Sequence, residues 1–246
     1  DTSTIVSLEV TRPKSHLAFA KKDSGWFLEK PIQDDADRWA VDDFLRELST
    51  SRAKEFIDRP AGEATYGFQQ PAMVVVARES GGGLFTLTVG RKKDESSRYA
   101  KSSTRKAVFT VEESLLSKLA EEPDQLRQKS IFTLDSYNVV EVSLKKEGEP
   151  LLLKKVKEKN KDVWRAAGFK ETELKSEKVS DYLYDLTGLK IKNFFPASSS
   201  WLDQHHLKTP AMVVKLTDKD GKTQEVHFGD RTEEAWYGYL PSRQTG

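Results

Sequence analysis

Apolar and polar positions alternate over two widely separated stretches, Val6, Leu8 and Val10 near the start and Val140, Val142 and Leu144 past the middle. A period of two marks strands with one buried face. Each stretch leads into a second apolar pair, Leu17 with Phe19 or Leu151 with Leu153, then a polar turn (DSG at 23–25, KEKNKD at 157–162) and a tryptophan, Trp26 or Trp164. The period then changes. Val41, Leu45 and Leu48, and again Val179, Leu183 and Leu186, stand at i, i+4 and i+7, which predicts one short helix with a single apolar face in each half. Asp35 and Asp37, and in the second half Ser176, occupy N-cap positions, and Gly188 a helix stop. A strand with Phe56 and Ile57, or Phe194 and Phe195, comes next, and Pro71 or Pro210 then turns the chain into a hairpin. Proline suits the first residue of a strand, where a missing N–H is tolerated. The hairpins are AMVVVA, ESGGG, LFTLTVG and AMVVKL, TDKDGK, TQEVHFG, with Gly82 and Gly221, and Gly90 and Gly229, where a turn or bulge would call for positive φ.

The phrase PAMVV occurs at 71–75 and at 210–214 and contains both methionines of the chain. An internal duplication accounts for it, with Trp26 and Trp164, Tyr66 and Gly67, Pro71 and Pro210, and Gly90 and Gly229 as its markers. The expected fold class is therefore α+β: two tandem pseudo-repeats, 1–130 and 131–246, each a mainly antiparallel sheet with a helix on one face. The first copy continues through SRYA and AVFT into Thr110-Val-Glu-Glu113, a capping-box pattern predicting a helix to about Leu119. The second stops after AWYGYLPSR, so it is expected to be C-terminally incomplete or to run on past Gly246. EEPDQLRQKSIFTLDS between the copies is not a Gly/Ser linker and predicts closely docked units.

Composition narrows the function classes. Apolar residues are 37% and charged residues 32%, with 40 Lys+Arg against 39 Asp+Glu, so no global field favours a polyanion. Zero cysteines exclude disulfides, thiolate metal sites and a Cys nucleophile. No apolar run approaches the roughly 18–20 residues of a membrane span. The chain begins at Asp1 without Met or an apolar signal, as a processed or truncated piece would.

The order of Trp26, Asp37, Val41, Leu45, Leu48, Tyr66-Gly67-Phe68, Pro71, Val89-Gly90 and Tyr99, followed by LRQKSIF at 126–132, resembles the bacterial domain-of-unknown-function family 4340. The resemblance covers nearly the whole chain. The second copy departs from it, with His205-His206-Leu207 where the first has Tyr66-Gly67-Phe68. What the resemblance implies is an extracytoplasmic envelope protein, tethered by an N-terminal membrane helix absent from this chain and associated with ABC-type transport or gliding-motility systems. It implies no activity.

Candidate chemistry is sparse. His205 and His206 with Asp203 are candidate metal ligands, yet adjacent residues on an extended stretch face opposite ways, and no H-E-x-x-H spacing supports them. His227 alternates away from Val226 and Phe228, and His16 sits in a turn. Asp34, Asp35, Asp37, Asp42 and Asp43 lack calcium-loop spacing and suit a helix start. The SGGG glycines precede a strand rather than a helix, so they make a hairpin tip rather than a phosphate cradle. Basic residues gather at 90–106 and 153–162, interrupted by acids, and Trp201, Trp236, Tyr237 and Tyr239 form an aromatic group. The leading expectation is a non-catalytic scaffold with a protein partner in the envelope. It involves no catalytic residue, metal, cofactor, nucleic acid or assignable small molecule, and reaches the membrane only through the absent segment. The rivals are a metal-assisted hydrolase around Asp203, His205 and His206, and a glycan- or lipid-binding module using Trp201, Trp236 and the 90–106 loop.

Overall fold

The computed structural model describes residues 1–243 except 24, 121, 147, 149, 160 and 168–172. The chain divides into two compact units, unit 1 at Asp1–Gln128 and unit 2 at Lys129–Gly246. The fold is α+β, built on two antiparallel sheets with a few helices.

Unit 1 contains β1 (Ile5–Arg12), β2 (Ser15–Lys22), β3 (Gly25–Lys30), β4 (Asp34–Asp35), α1 (Arg38–Thr50), β5 (Phe56–Ile57), β6 (Met73–Glu79), β7 (Leu84–Lys92), β8 (Ser97–Ser102), β9 (Arg105–Glu112) and the short α2 (Pro123–Leu126). Its sheet runs β4-β3-β2-β1-β6-β7-β8-β9-β5. Alternation places Leu8, Val10, Phe19, Val75, Val89 and Phe109 on one face, where Val41, Phe44 and Leu45 of α1 complete the core. Asp37 caps α1 by accepting from the Trp39 and Ala40 N–H groups, while Asp35 lies in β4. Trp26 is 4% exposed in this core, and its Nε1 donates to Asp42 at 2.9 Å.

Unit 2 contains β10 (Val139–Lys145), β11 (Leu151–Glu158), β12 (Lys161–Ala166), β13 (Glu173–Leu174), α3 (Ser176–Gly188), α4 (Ser199–Gln204), β14 (Met212–Asp218), β15 (Thr223–Arg231) and β16 (Trp236–Tyr239). Its sheet runs β13-β12-β11-β10-β14-β15-β16. Val179, Leu183 and Leu186 of α3 pack with Val142, Trp164, Val214, Leu216, Val226 and Phe228, and Trp164 is 3% exposed.

Several sequence expectations need correcting. α1 and α3 have 13 residues each, longer than the short helices expected. Ser176 is the first residue of α3, and the N-cap is Lys175, whose side chain makes no capping bond. KEKNKD is mostly strand, because β11 runs to Glu158 and β12 resumes at Lys161. Thr110 lies inside β9 rather than at a helix start. Val108, Phe109 and Val111 are all buried there, so pairing with β8 prevails over the local cap, and only a 3-10 turn at Glu113–Ser117 follows. Phe194 and Phe195 form no strand. WLDQ at 201–204 lies in α4, whose first turn is capped by Ser198 Oγ accepting from Trp201 N at 3.2 Å.

Gly82 and Gly221 have φ of +86° and +80°, as the hairpin tips require. Gly90 and Gly229 do not have positive φ among the described residues; their need is for space. A Cβ on Gly90 would collide with Tyr66 O, and one on Gly229 with His205 O.

Candidate interaction site at two chain corners

In unit 1 the corner is a 3-10 turn, Glu63–Tyr66, closed by Gly67 at φ +75°. Tyr66 OH accepts from Ala61 N at 3.0 Å, and the ring meets Tyr99 edge-on at 5.0 Å and Phe68 at 5.7 Å. Tyr66, Phe68 and Val108 are buried together, with Ile57 and Tyr99 against them. Val108 neighbours Phe109 in β9, so this small cluster occupies the sheet face opposite α1. Arg91 Nε donates to Thr65 O at 2.5 Å and its guanidinium lies 5.7 Å from the Tyr99 ring centre. The corner is therefore latched to the end of β7.

In unit 2, α4 ends at Gln204 with His205 as its C-cap, and His206 takes the positive φ of +53°. The two histidines thus form a turn at a helix exit, as their alignment with Tyr66 and Gly67 predicts, rather than lying on the extended stretch considered for a metal pair. Their side chains, with Asp203, have separate partners. His205 stacks on Tyr237 with ring centres 3.8 Å apart, and lies 4.9 Å from Trp201. His206 Nδ1 is 2.8 Å from Asp230, while Asp203 accepts from Lys208 Nζ at 2.7 Å. Leu207 is buried, and Asp230 N donates to His205 O at 3.1 Å. No group of three or more His, Asp or Glu able to hold a metal occurs among the described residues. Phe195 adds a fourth ring, 5.4 Å from Trp201 and nearly parallel to it. The four rings are only half-buried, and Phe195 is 37% exposed.

The other candidates are also engaged. His227 Nε2 is 2.5 Å from Glu225, and its ring meets Tyr239 edge-on at 6.0 Å. His16 is 3.4 Å from Glu9. Within the acidic cluster, Asp34 forms a buried ion pair with Arg127 at 2.6 Å, Asp37 is the cap, Asp42 takes Trp26 and Arg38, and Asp43 pairs with Arg46. A buried Asp–Arg pair needs each partner to offset the desolvation of the other. It joins β4, just before α1, to the end of unit 1.

Four of the seven cations in the basic stretch 90–106 have acidic partners. Lys92 and Arg98 pair with Glu113, Lys93 with Glu55, and Lys101 with Glu63. The hydrogen bond from Arg98, reinforced by Lys92, holds the Glu113 carboxyl below its ordinary range, and the bond to Glu55 raises Lys93. At 153–162, Lys154 pairs with Glu141, and Glu158 is lowered by its hydrogen bond from Arg165. Trp201 and Trp236 do not build one stacking platform. Trp201 faces Phe195 and Tyr237, whereas Trp236, 45% exposed, meets Phe228 and lies under Arg231. A cavity of about 300 Å³ opens beside the end of α1, over Leu115, but its rim charges pair across it: Lys54 with Glu112 at 3.7 Å and Lys118 with Glu47 at 3.4 Å.

Sequence reasoning grouped Trp201 with Tyr237, which do meet at 6.0 Å, but missed that Phe195 and His205 join them, and missed the His206–Asp230 pair. The available signal was the alignment of Tyr237 with Tyr99 and of Asp230 with Arg91, one residue past each glycine. Among the described residues no helix is long and apolar enough to cross a membrane.

A comparison with curated proteins finds no match. A family model described as a domain of unknown function, DUF4340, matches residues 26–210, from the buried Trp26 through to the proline that enters β14. That stretch is well over half of the chain, and the chain belongs to this family.

Proposed function

We propose that this protein is a non-catalytic interaction module composed of two pseudo-repeats, working outside the cytoplasm as an accessory of a transport-associated envelope assembly. The repeat reading is supported by matching strand orders. β13-β12-β11-β10-β14-β15-β16 follows β4-β3-β2-β1-β6-β7-β8 element for element, and Gly90 and Gly229 receive the same carbonyl from their corners. The envelope location and the transport association rest on what resemblance to the family implies. The interaction role rests on one observation above all: the ring cluster of Phe195, Trp201, His205 and Tyr237, in which Phe195 is exposed and the other three are half-buried. Aromatic residues are enriched in protein interfaces.

Affinity capture of the full-length protein from its native envelope is the test. A stable protein partner is expected, with capture reduced by Trp201→Ala and Phe195→Ala while both units remain folded by circular dichroism. Recovery of no partner, together with stoichiometric zinc and metal-dependent turnover lost on His205→Ala, would replace this reading with the hydrolase.

A further inference from the structure

The chain passes from unit 1 into unit 2 between Gln128 and Lys129, and every residue from 126 to 131 takes part in a backbone bond or bridge. Within unit 1, Arg127 bridges Ala36 antiparallel, Asp37 N donates to Leu126 O at 2.7 Å, and Gln128 N donates to Asp35 O at 2.8 Å. Side chains secure the same stretch. Leu126 is buried in the core, and the buried Arg127 guanidinium reaches Asp34 at 2.6 Å and Asp124 at 3.1 Å.

Within unit 2 the next residues are held in the same manner. Ser130 bridges Lys190 antiparallel, Ile191 N donates to Lys129 O at 2.7 Å, and Ile131 N donates to Leu189 O at 3.2 Å. These partners directly follow α3. Lys190 Nζ also donates to Ser130 Oγ at 2.6 Å, and Phe132 and Leu134 then enter the core of unit 2.

Gln128 N is thus bonded in unit 1 and the neighbouring Lys129 O in unit 2, with only two residues, of two soft dihedrals each, between the bonded groups. A flexible linker absorbs movement through many such dihedrals. We infer that 126–131 is a strap shared by the two units, so that releasing it from one loosens its hold on the other. Its fastening in unit 1 is the Asp34–Arg127 pair, since removing one partner leaves the other buried without its closest counter-charge. Its fastening in unit 2 is the set of bonds to 189–191. Coupling of this kind is reciprocal, so what loosens the strap at 189–191 loosens it equally at 35–37. A partner that binds either unit beside its end of the strap is thereby felt at the other. The inference goes beyond the interaction-module reading, and its experiment uses no partner.

The test is native-state amide exchange of the whole chain, compared with Asp34→Asn. Gln128 N is expected to exchange at least about tenfold faster, because its bond to Asp35 O opens with the strap. Ile131 N and Ile191 N, both in unit 2, should follow by about threefold or more, while the amides of β14 and β15 keep their rates. Ile191→Pro, which deletes the N–H bonded to Lys129 O, should in turn quicken Gln128 N. Where Asp34→Asn leaves unit 1 unfolded, Arg127→Lys takes its place, since an ammonium keeps the charge but cannot fork to Asp34 and Asp124 as the guanidinium does. A quickened Gln128 N with Ile131 N and Ile191 N unchanged would overturn the inference, as would a Gln128 N that does not respond. Quickening spread evenly over unit 2 would overturn it too, because general loss of stability rather than the strap would then be the cause.

Discussion

In unit 1 the residue that closes the corner is Gly67, at φ +75°, and its neighbour Arg91 reaches back to Thr65 O; in unit 2 it is His206, at φ +53°, paired with Asp230. One corner buries Tyr66 and Phe68 together with Val108 of β9, while the other leaves Phe195 exposed and Trp201, His205 and Tyr237 half-buried. The backbone demand is shared and the side-chain answer is not. A left-handed residue and a facing glycine are geometric needs of turning the chain into the hairpin. What is built over them is free to change. The comparison therefore separates residues that hold the corner from residues that make each unit's surface different.

The largest expected effect comes from the tryptophans that anchor both sheets. Trp26→Ala and Trp164→Ala should each destabilise their unit by about 3–5 kcal/mol, as truncation of a buried aromatic does. Trp26 should lose more, because its Nε1 hydrogen bond to the Asp42 carboxylate goes as well, and no such bond is seen for Trp164 among the described contacts. Urea unfolding of the variants, followed by a local probe in each unit, measures both values. Equal losses would show that the Asp42 bond adds nothing.

These anchors were legible in the sequence, whereas much of the corner was not, and the reason is physical. Strands such as β1 and β10 announce themselves because Leu8 and Val10, or Val142 and Leu144, alternate locally with polar neighbours. Trp201, His205 and Tyr237 meet only because β16 pairs with β15 and brings Tyr237 across to α4, a contact that no local pattern encodes. Thr110 failed in the other direction. Its capping box is a sound local signal, yet burial of Val108 on one face and Phe109 and Val111 on the other makes the segment a strand. For Gly90 and Gly229 the residue was right and the reason was not, since a close carbonyl rather than positive φ excludes a side chain.

The next effect tests that reason directly. Gly90→Ala and Gly229→Ala each push a Cβ onto a backbone carbonyl, Tyr66 O or His205 O, and backbone cannot swing aside as a flexible side chain can. Losses of about 1–3 kcal/mol or more are expected in both units, measured by the same unfolding curves. A neutral Gly229→Ala would show that unit 2 seats its corner more loosely and would break the equivalence.

A smaller asymmetry should appear one residue into the corner. Gly67→Ala should cost about 1–2 kcal/mol, because an L side chain is strained at φ +75° and its Cβ would press on Arg91 N and Cβ. His206→Gly should fall within about 0.5 kcal/mol of zero. It relieves the strain at φ +53°, but it adds chain entropy to the unfolded state and removes the exposed pair with Asp230. A clear gain in thermal midpoint for His206→Gly would mean that the histidine is kept at the expense of stability, and hence for its place in the surface.

The smallest effect concerns the turns that follow the two glycine strands. In unit 1, the turn between β7 and β8 is held by Asp94, which accepts from Ser97 Oγ at 2.7 Å and from Ser96 N at 2.9 Å. Those bonds favour the ionised carboxylate, and with the Ser97 bond the largest cause they bring it from an ordinary 3.8 down to about 2. In unit 2 the corresponding turn uses the hydroxyl of Thr232, which accepts from Ala235 N and donates to Ala235 O, both at 3.0 Å, and does not titrate. Because the folded value of Asp94 lies below the unfolded one, its stabilisation is complete above about 3.8 and is lost as pH falls toward about 2. Amide protection factors, rates taken relative to the intrinsic rate at each pH, should therefore fall at 94–97 over that acid window while those at 232–235 stay unchanged, and Ser97→Ala should move the Asp94 carboxyl resonance midpoint back up toward 3.8. A midpoint that stays low without the Ser97 hydroxyl would assign the shift to the Ser96 amide, and the two turns would then differ in backbone rather than in side-chain chemistry.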